Sequence, residues 1–207
     1  MTTRERLLTA TAEALREDGI AGLSARTIAT RADVNQALVF YHFGTMSQLV
    51  QEATRKSVDD SIAHYREPLA SAGTLSELLA VGRTLHERER EAGNVALMAQ
   101  VMAGAQQDEA LAEAAAYAMG AWGAEIEQTL VRVLATTPLS AVVDAKGLSQ
   151  AICAAFIGLE LFEGVDALGG SAAFDTLAQL GTMVESVDGL GPVASRAVRA
   201  TLRRSGR

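Results

Sequence analysis

The residues whose types and spacing suggest chemistry are densest between Leu23 and Phe43, LSARTIATRADVNQALVFYHF. The chemistry they suggest is recognition rather than bond making. Gln36 carries an amide that donates and accepts at once, the pattern that pairs bidentately with an adenine edge. Ala37 and Leu38 offer methyl groups of the kind that touch a thymine methyl, although Leu38 fits a protein core equally well. Tyr41 and His42 carry polar groups able to hydrogen-bond an oxyanion. Arg26 and Thr27 stand near a helix start, where free backbone N–H groups attract phosphate. Contacts of this second kind position a protein on DNA, and only base-edge contacts choose a sequence. Plainer readings stay open: Phe40 and Tyr41 also fit an aromatic core cluster, where Phe43 is expected. His42 also fits a buried structural histidine, and Arg26 a solvated charge.

To reach a groove these side chains must sit on a short helix braced by another that crosses it steeply. Close crossing needs a small residue midway along the first helix, and Ala29 supplies it. Asp33, four residues on, falls where the chain must turn sharply, and Asp tolerates left-handed backbone better than most side chains. Val34 and Val39 then plug the turn and fasten the second helix, with Leu23, Ile28 and Leu38 completing the apolar interior. This spacing predicts a helix-turn-helix.

The following residues sharpen that reading. The segment VNQALVFYHFGTMSQLV, with Val34, Phe40, Tyr41, His42, Phe43, Thr45 and Leu49, resembles the recognition helix and its exit in the TetR family of regulators. The upstream Gly19 and the run Leu23-Ser24-x-Arg26-x-Ile28-Ala29 are similar too, so the resemblance covers about residues 4–52. Two positions depart from it: Met46 stands where the family usually has a phosphate-contacting Lys, and Gly44 where a Pro or polar residue is common. The resemblance implies an N-terminal DNA-binding domain over residues 1–50, with Arg26, Thr27, Gln36, Ala37, Leu38, Phe40, Tyr41 and His42 at the DNA. Arg4 and Arg6 fall near the neighbouring phosphates. It implies a ligand-binding and dimerisation domain over 51–207, a palindromic double-stranded operator, a small-molecule effector and a homodimer.

The long C-terminal part offers residues for both remaining tasks. Ile152, Ala155, Phe156, Leu159 and Phe162 form one apolar stripe at helical spacing, and Ala151, Ala154 and Gly158 a small-residue face. Leu177, Leu180, Val184 and Val187 form a stripe on the next helix. Two such hairpins would build a four-helix bundle with two-fold symmetry, or else both stripes are core within one chain. For a mostly apolar pocket with a few placed polar groups, the candidates are His86, Met98, Met102, Gln106, Tyr117, Trp122, Phe156 and Glu160. Each of them also fits an ordinary core. Glu160, on an otherwise apolar helix, is expected to pair with a cationic ligand or with Arg83 or Arg132.

Charge supports the division of labour. The chain has 207 residues and a net charge of −7. Residues 1–56 carry a net +1, 57–195 a net −13 and 196–207 a net +5, so a nucleic-acid footprint belongs near the ends. The basic end, SRAVRATLRRSGR, reads as a solvated terminal helix or a DNA-touching tail. No HExxH, GxSxG, P-loop or dinucleotide glycine pattern occurs. The three histidines, His42, His64 and His86, are too far apart in sequence for a local metal motif. Glu87, Glu89 and Glu91 resemble a solvated face, and Glu160/Glu163 a carboxylate pair. One cysteine, Cys153, allows no intrachain disulfide. No enzyme, cofactor, metal or membrane span is expected, and a cytoplasmic location fits. The rival reading is a helical interaction protein or ligand-binding module without specific DNA binding.

The elements expected around these residues are all helical, nine or ten in number. Thr2-x-x-Glu5 reads as a capping box and Gly19 as a left-handed stop. Ser24 caps a helix to about Ala32, Gln36–Phe43 forms a third, and Thr45-x-x-Gln48 opens a fourth towards Tyr65. Pro68 and Ser71–Gly73 read as a break. A helix follows over Thr74–Glu91, two or three more cover Val95–Gln106 and Asp108–Thr136, and a loop comes at Pro138. The last three are expected over Asp144–Val165, Ala172–Val187 after Gly169-Gly170-Ser171, and Val193–Arg204.

Overall fold

The computed structural model describes residues 1–135, 137–141 and 143–188. Among them are nine α-helices: α1 Thr3–Asp18, α2 Ala25–Arg31, α3 Ala37–Phe43, α4 Met46–Ser71, α5 Leu75–Glu91, α6 Asn94–Gly104, α7 Glu109–Ala135, α8 Ala145–Glu163 and α9 Ala167–Asp188. No strand occurs among the described residues, so the all-α expectation holds. Short 3-10 turns fill Ile20–Gly22 and Pro138–Ala141. The helix expected over Val193–Arg204 lies outside the described residues.

Local signals set most boundaries. The Thr2 hydroxyl accepts from the Glu5 amide at 3.2 Å while the Glu5 carboxylate accepts from the Thr2 amide at 2.7 Å, so two free donors at the start of α1 are satisfied reciprocally. Gly19 has φ +71° but ψ 178°, an extended region beyond the left-handed helical one expected and essentially confined to glycine. The next amide, Ile20, donates to Gln100 Oε1 at 2.5 Å.

Two breaks read from the sequence lie inside helices. Pro68 falls within α4, where its missing N–H removes one ladder bond. Burial of Tyr65, Leu69 and Ala72 on one face offsets that loss. The far end is tied by Arg132, which donates to the carbonyls of Leu69 at 2.8 Å and Ala70 at 3.1 Å, a favourable place for a cation. Gly169 and Gly170 sit in the opening turns of α9, which begins at Ala167. Asp166 accepts from the Gly169 amide at 3.0 Å. A Cβ on Gly170 would come within 2.7 Å of Glu163 Cβ, so this glycine serves close approach rather than a break.

The chain divides into two compact units, 1–63 with 88–121, and 64–87 with 122–207. In the first, Leu7, Leu8, Ile28, Ala29, Val39, Phe43 and Leu49 form one core, and Leu15, Val50, Leu97, Val101 and Leu111 another. In the second, Tyr65, Leu69, Leu78, Leu130 and Leu134 form the core.

Candidate nucleic-acid interface and buried ligand cluster

The helix-turn-helix is built as its spacing predicts. Ser24 caps α2, its hydroxyl accepting from the Thr27 amide at 3.1 Å, and the Thr27 hydroxyl accepts from the Ser24 amide at 3.0 Å. Ala29 is buried, and its carbonyl accepts from the Val34 amide at 2.9 Å, closing the turn. Asp33 has φ +50°, the one non-glycine with positive φ among the described residues. Val34 packs against the core and Val39 is fully buried, worth about 1.5–3 kcal/mol for a side chain of this size. Asn35 Oδ1 accepts from the Ala37 amide at 2.8 Å and so starts α3. Gly44 ends it with φ +74°, a conformation closed to Pro and strained for other side chains.

Two of these supports have different legibility in sequence. Asn35 was legible as a turn former. Arg6 was not: its Nε donates to the Ala32 carbonyl at 2.9 Å, and its Nη2 reaches the carbonyls of both Ala32 and Asp33. The arginine expected beside phosphate thus holds the turn from inside the protein.

The expected DNA residues fall on one side of α3 and at the start of α2. Gln36, Ala37, Phe40 and Tyr41 are exposed, Tyr41 to 80%, while Val39 and Phe43 face the core. Leu38 is half-buried against that core, the second of its two readings. His42 is half-buried, its ring edge-on to those of Tyr41 and Phe43 at 5.1 and 6.2 Å. Arg26 and Thr27 are exposed.

The electrostatics of this surface are unusual for a DNA binder. Of the basic residues in 1–56, Arg4 is paired with Glu52 and lies 5.3 Å from the Phe43 ring centre. Arg31 reaches Glu17 at 2.7 Å and Asp18 at 3.3 Å. Lys56 pairs with Asp60. Arg16 donates to Asn94 at 2.6 Å, and Arg55 covers the Tyr117 ring at 4.8 Å. Arg6 is engaged at the turn. Among the described residues of 1–56, Arg26 alone is a cation with no such partner. Met46, in place of a lysine, packs its side chain on the core.

The expected ligand residues divide between the two units. In the first, Met98 is half-buried and Met102 packs against Leu97, Val101 and Leu111. Gln106 is exposed, and the Tyr117 hydroxyl donates to Asp59; that bond, with burial behind it, pushes the phenol pKa up. In the second, Trp122 packs on the core around Tyr65. His86, Phe156 and Glu160 come together: His86 Nδ1 lies 2.8 Å from Glu160 Oε1, with the Phe156 ring edge-on at 6.0 Å. Two residues not among those candidates complete the cluster. Glu163 Oε2 lies 2.6 Å from His86 Nε2, and the Phe174 ring lies 4.6 Å from the imidazole at 33°. Glu160 therefore pairs with neither arginine suggested by sequence: Arg83 is paired with Asp175 and Arg132 caps α4.

The expected apolar stripe of α8 is split between two faces. Ile152 packs on the core and Phe156 on His86. Ala151, Ala154, Ala155, Gly158, Leu161 and Phe162 are exposed, and a Cβ on Gly158 would meet nothing within 4 Å. On α9, Leu168, Leu177 and Met183 are exposed, while the side chains of Leu180, Val184 and Val187 lie outside the described residues.

Two short helices joined by a tight turn, the second with an exposed, polar edge, define a helix-turn-helix. Residues 7–53 match the model of the bacterial regulatory proteins of the tetR family, so the resemblance carried by residues 4–52 is borne out. Solved structures agree over most of the chain. A TetR-family transcriptional regulator assignment from Rhodococcus sp. is 25% identical, with TM-score 0.74 over 88% of this chain and 97% of that one. Salmonella enterica GusR is 20% identical, with TM-score 0.69 over 88% and 94%. The multidrug binding protein EbrR complexed with imidazole is 24% identical, with TM-score 0.61 over 87% and 95%. Comparison with curated protein sequences returns no match.

Proposed function

We propose that this protein is a homodimeric transcriptional repressor of the cytoplasm, whose affinity for a palindromic operator is lowered by a small, mostly apolar effector. Residues 1–50 read DNA, and 51–207 dimerise and take the effector. The observation that carries the reading is the exposed edge of α3, Gln36, Ala37, Phe40 and Tyr41, on a helix locked to the core by Val39 and Phe43. Gln36 reads a base edge, Ala37 a methyl, and Tyr41, His42, Thr27 and Arg26 hold phosphates.

Dimerisation is supported by the uncovered apolar face of α8 and α9, whose small residues let a second copy approach closely. The same helix, α8, has the length and hydropathy to cross a membrane, but it carries Lys146, Glu160 and Glu163, and burial of Glu160 on its inner side favours a protein partner on the outer one. The two-fold symmetry of such a dimer would match a palindromic operator with half-sites about one DNA turn apart, or a multiple of it. Effector control is supported by the buried polar cluster around His86 and by the imidazole bound to EbrR. An effector shifts operator affinity only by its preference for one arrangement of the two heads.

Fluorescence anisotropy against a selected palindrome and its scrambled counterpart, at stated salt, tests the reading. Preference for the palindrome by about 10³-fold or more is expected, with Gln36→Ala costing about 1–3 kcal/mol at one base pair per half-site. Equal binding to both duplexes favours the interaction-protein alternative.

A further inference from the structure

The cluster around His86 specifies a kind of ligand. Both ring nitrogens face carboxylate oxygens, Nδ1 at 2.8 Å from Glu160 and Nε2 at 2.6 Å from Glu163. A flat occupant that donates an N–H from each of two edges matches both carboxylate oxygens at once. The imidazole and both carboxyl side chains are at most 10% exposed, where a carboxylate without a donor is costly. Phe174 lies over the ring at 4.6 Å and Phe156 stands edge-on at 6.0 Å, which admits a flat group and favours a cation. The acceptors sit three residues apart on α8, the present occupant on α5, and the aromatic cover on α8 and α9, so the occupant alone ties α5 into the cluster.

We propose that Glu160, Glu163, Phe156 and Phe174 form a receptor for a planar organic cation with two N–H donors, of the imidazolium, amidinium or guanidinium type, and that His86 is its built-in stand-in. This deepens the effector-responsive reading and rests on it. Rotation of the His86 side chain vacates the place between the two carboxylates, and a ligand with the same donors takes up the contacts that His86 makes there. A neutral analogue of the same shape brings no charge to the two carboxylates, so its hydrogen bonds there are the weaker ones. Exchange also removes the His86 link between α5 and α8, which gives ligand entry a structural consequence.

The test is isothermal titration calorimetry on the full chain at fixed ionic strength, without DNA, using benzamidinium chloride against benzamide. Benzamidinium is expected to bind at least about tenfold more tightly, and Glu160→Gln to remove at least about tenfold of that affinity. In His86→Ala, imidazolium chloride is expected to bind and to raise the melting temperature, while pyrazole does neither. Equal affinity for benzamidinium and benzamide, no binding of benzamidinium, or indifference to Glu160→Gln overturns the assignment. The wild-type comparison decides this even if the His86 variant fails to fold. Operator anisotropy in parallel separates the two readings. Benzamidinium bound without any change in operator affinity overturns the effector role but leaves the receptor, whereas operator release by a neutral compound alone overturns the receptor and leaves the regulator.

Discussion

The charge arrangement of the DNA-binding region makes a quantitative prediction about salt. Each phosphate neutralised by a protein cation releases counterions and contributes about −0.9 to the slope of log K against log salt. If Arg26 is the one cation per protomer free to do this, a dimer should show a slope near −1.8, and raising salt from 50 to 200 mM should weaken binding only about 12-fold. Were Arg4, Arg6, Arg26 and Arg31 all on phosphate, the slope would be about −7 and the loss about 10⁴-fold. Anisotropy titrations of the palindrome across this range distinguish the two. Arg26→Ala should flatten the slope to near zero, and Met46→Lys should steepen it to about −3.6. The arginines of 196–207 lie outside the described residues, and a variant with all five changed to Gln isolates their share. A wild-type slope steeper than about −5 that survives this change, or a slope unaffected by Arg26→Ala, refutes the reasoning.

Three further outcomes follow from other parts of the structure. Arg6→Met removes a charged donor from the carbonyls of Ala32 and Asp33 and should lower unfolding stability by about 1.5–3 kcal/mol in urea, with a change below about 0.5 kcal/mol contradicting its role at the turn. Gly158→Glu sets a charge in the uncovered face of α8 and should halve the mass seen by light scattering from twice 21.7 kDa to the single-chain value; an unchanged mass places the interface elsewhere. Asp108 accepts from the Ser47 hydroxyl at 2.6 Å and from the amides of Leu111 and Ala110, and these bonds hold its carboxyl below the usual range. A folded-state value below the unfolded one adds stability above about pH 4, lost as pH falls through the folded value. Asp108→Asn should therefore reduce the acid sensitivity of the urea midpoint, and an unchanged pH profile would count against the bond.

The sequence made the DNA head legible because its signals are local. Ala29, Asp33, Val34 and Val39 act within eleven residues, and the caps at Thr2 and Ser24 act within four. Where a residue serves a partner far along the chain, no local signal exists. Arg6 looked like a phosphate ligand because the carbonyls it holds are 26 and 27 residues away. The His86–Glu160 pair spans 74 residues, and only the oddity of Glu160 on an apolar helix hinted at it. Pro68 and Gly170 misled because their usual role as helix breakers gave way to packing, of Tyr65 and Leu69 in one case and of Glu163 in the other. The stripe on α8 was visible as periodicity, but periodicity could not say that Ile152 and Phe156 face inward while Ala155 and Phe162 face out.

The central claim is that α3 enters a DNA groove, and affinity cleavage tests it most directly. Ala37 is exposed on α3, whereas Cys153 is buried and its thiol pKa is pushed up by that burial, so Ala37→Cys can be labelled selectively with an iron–EDTA cleaving group. On the selected palindrome the labelled dimer should cut two short clusters of nucleotides, symmetric about the centre and roughly 34–36 Å apart or a multiple of this. Cleavage spread evenly along the duplex, or none, would contradict the account.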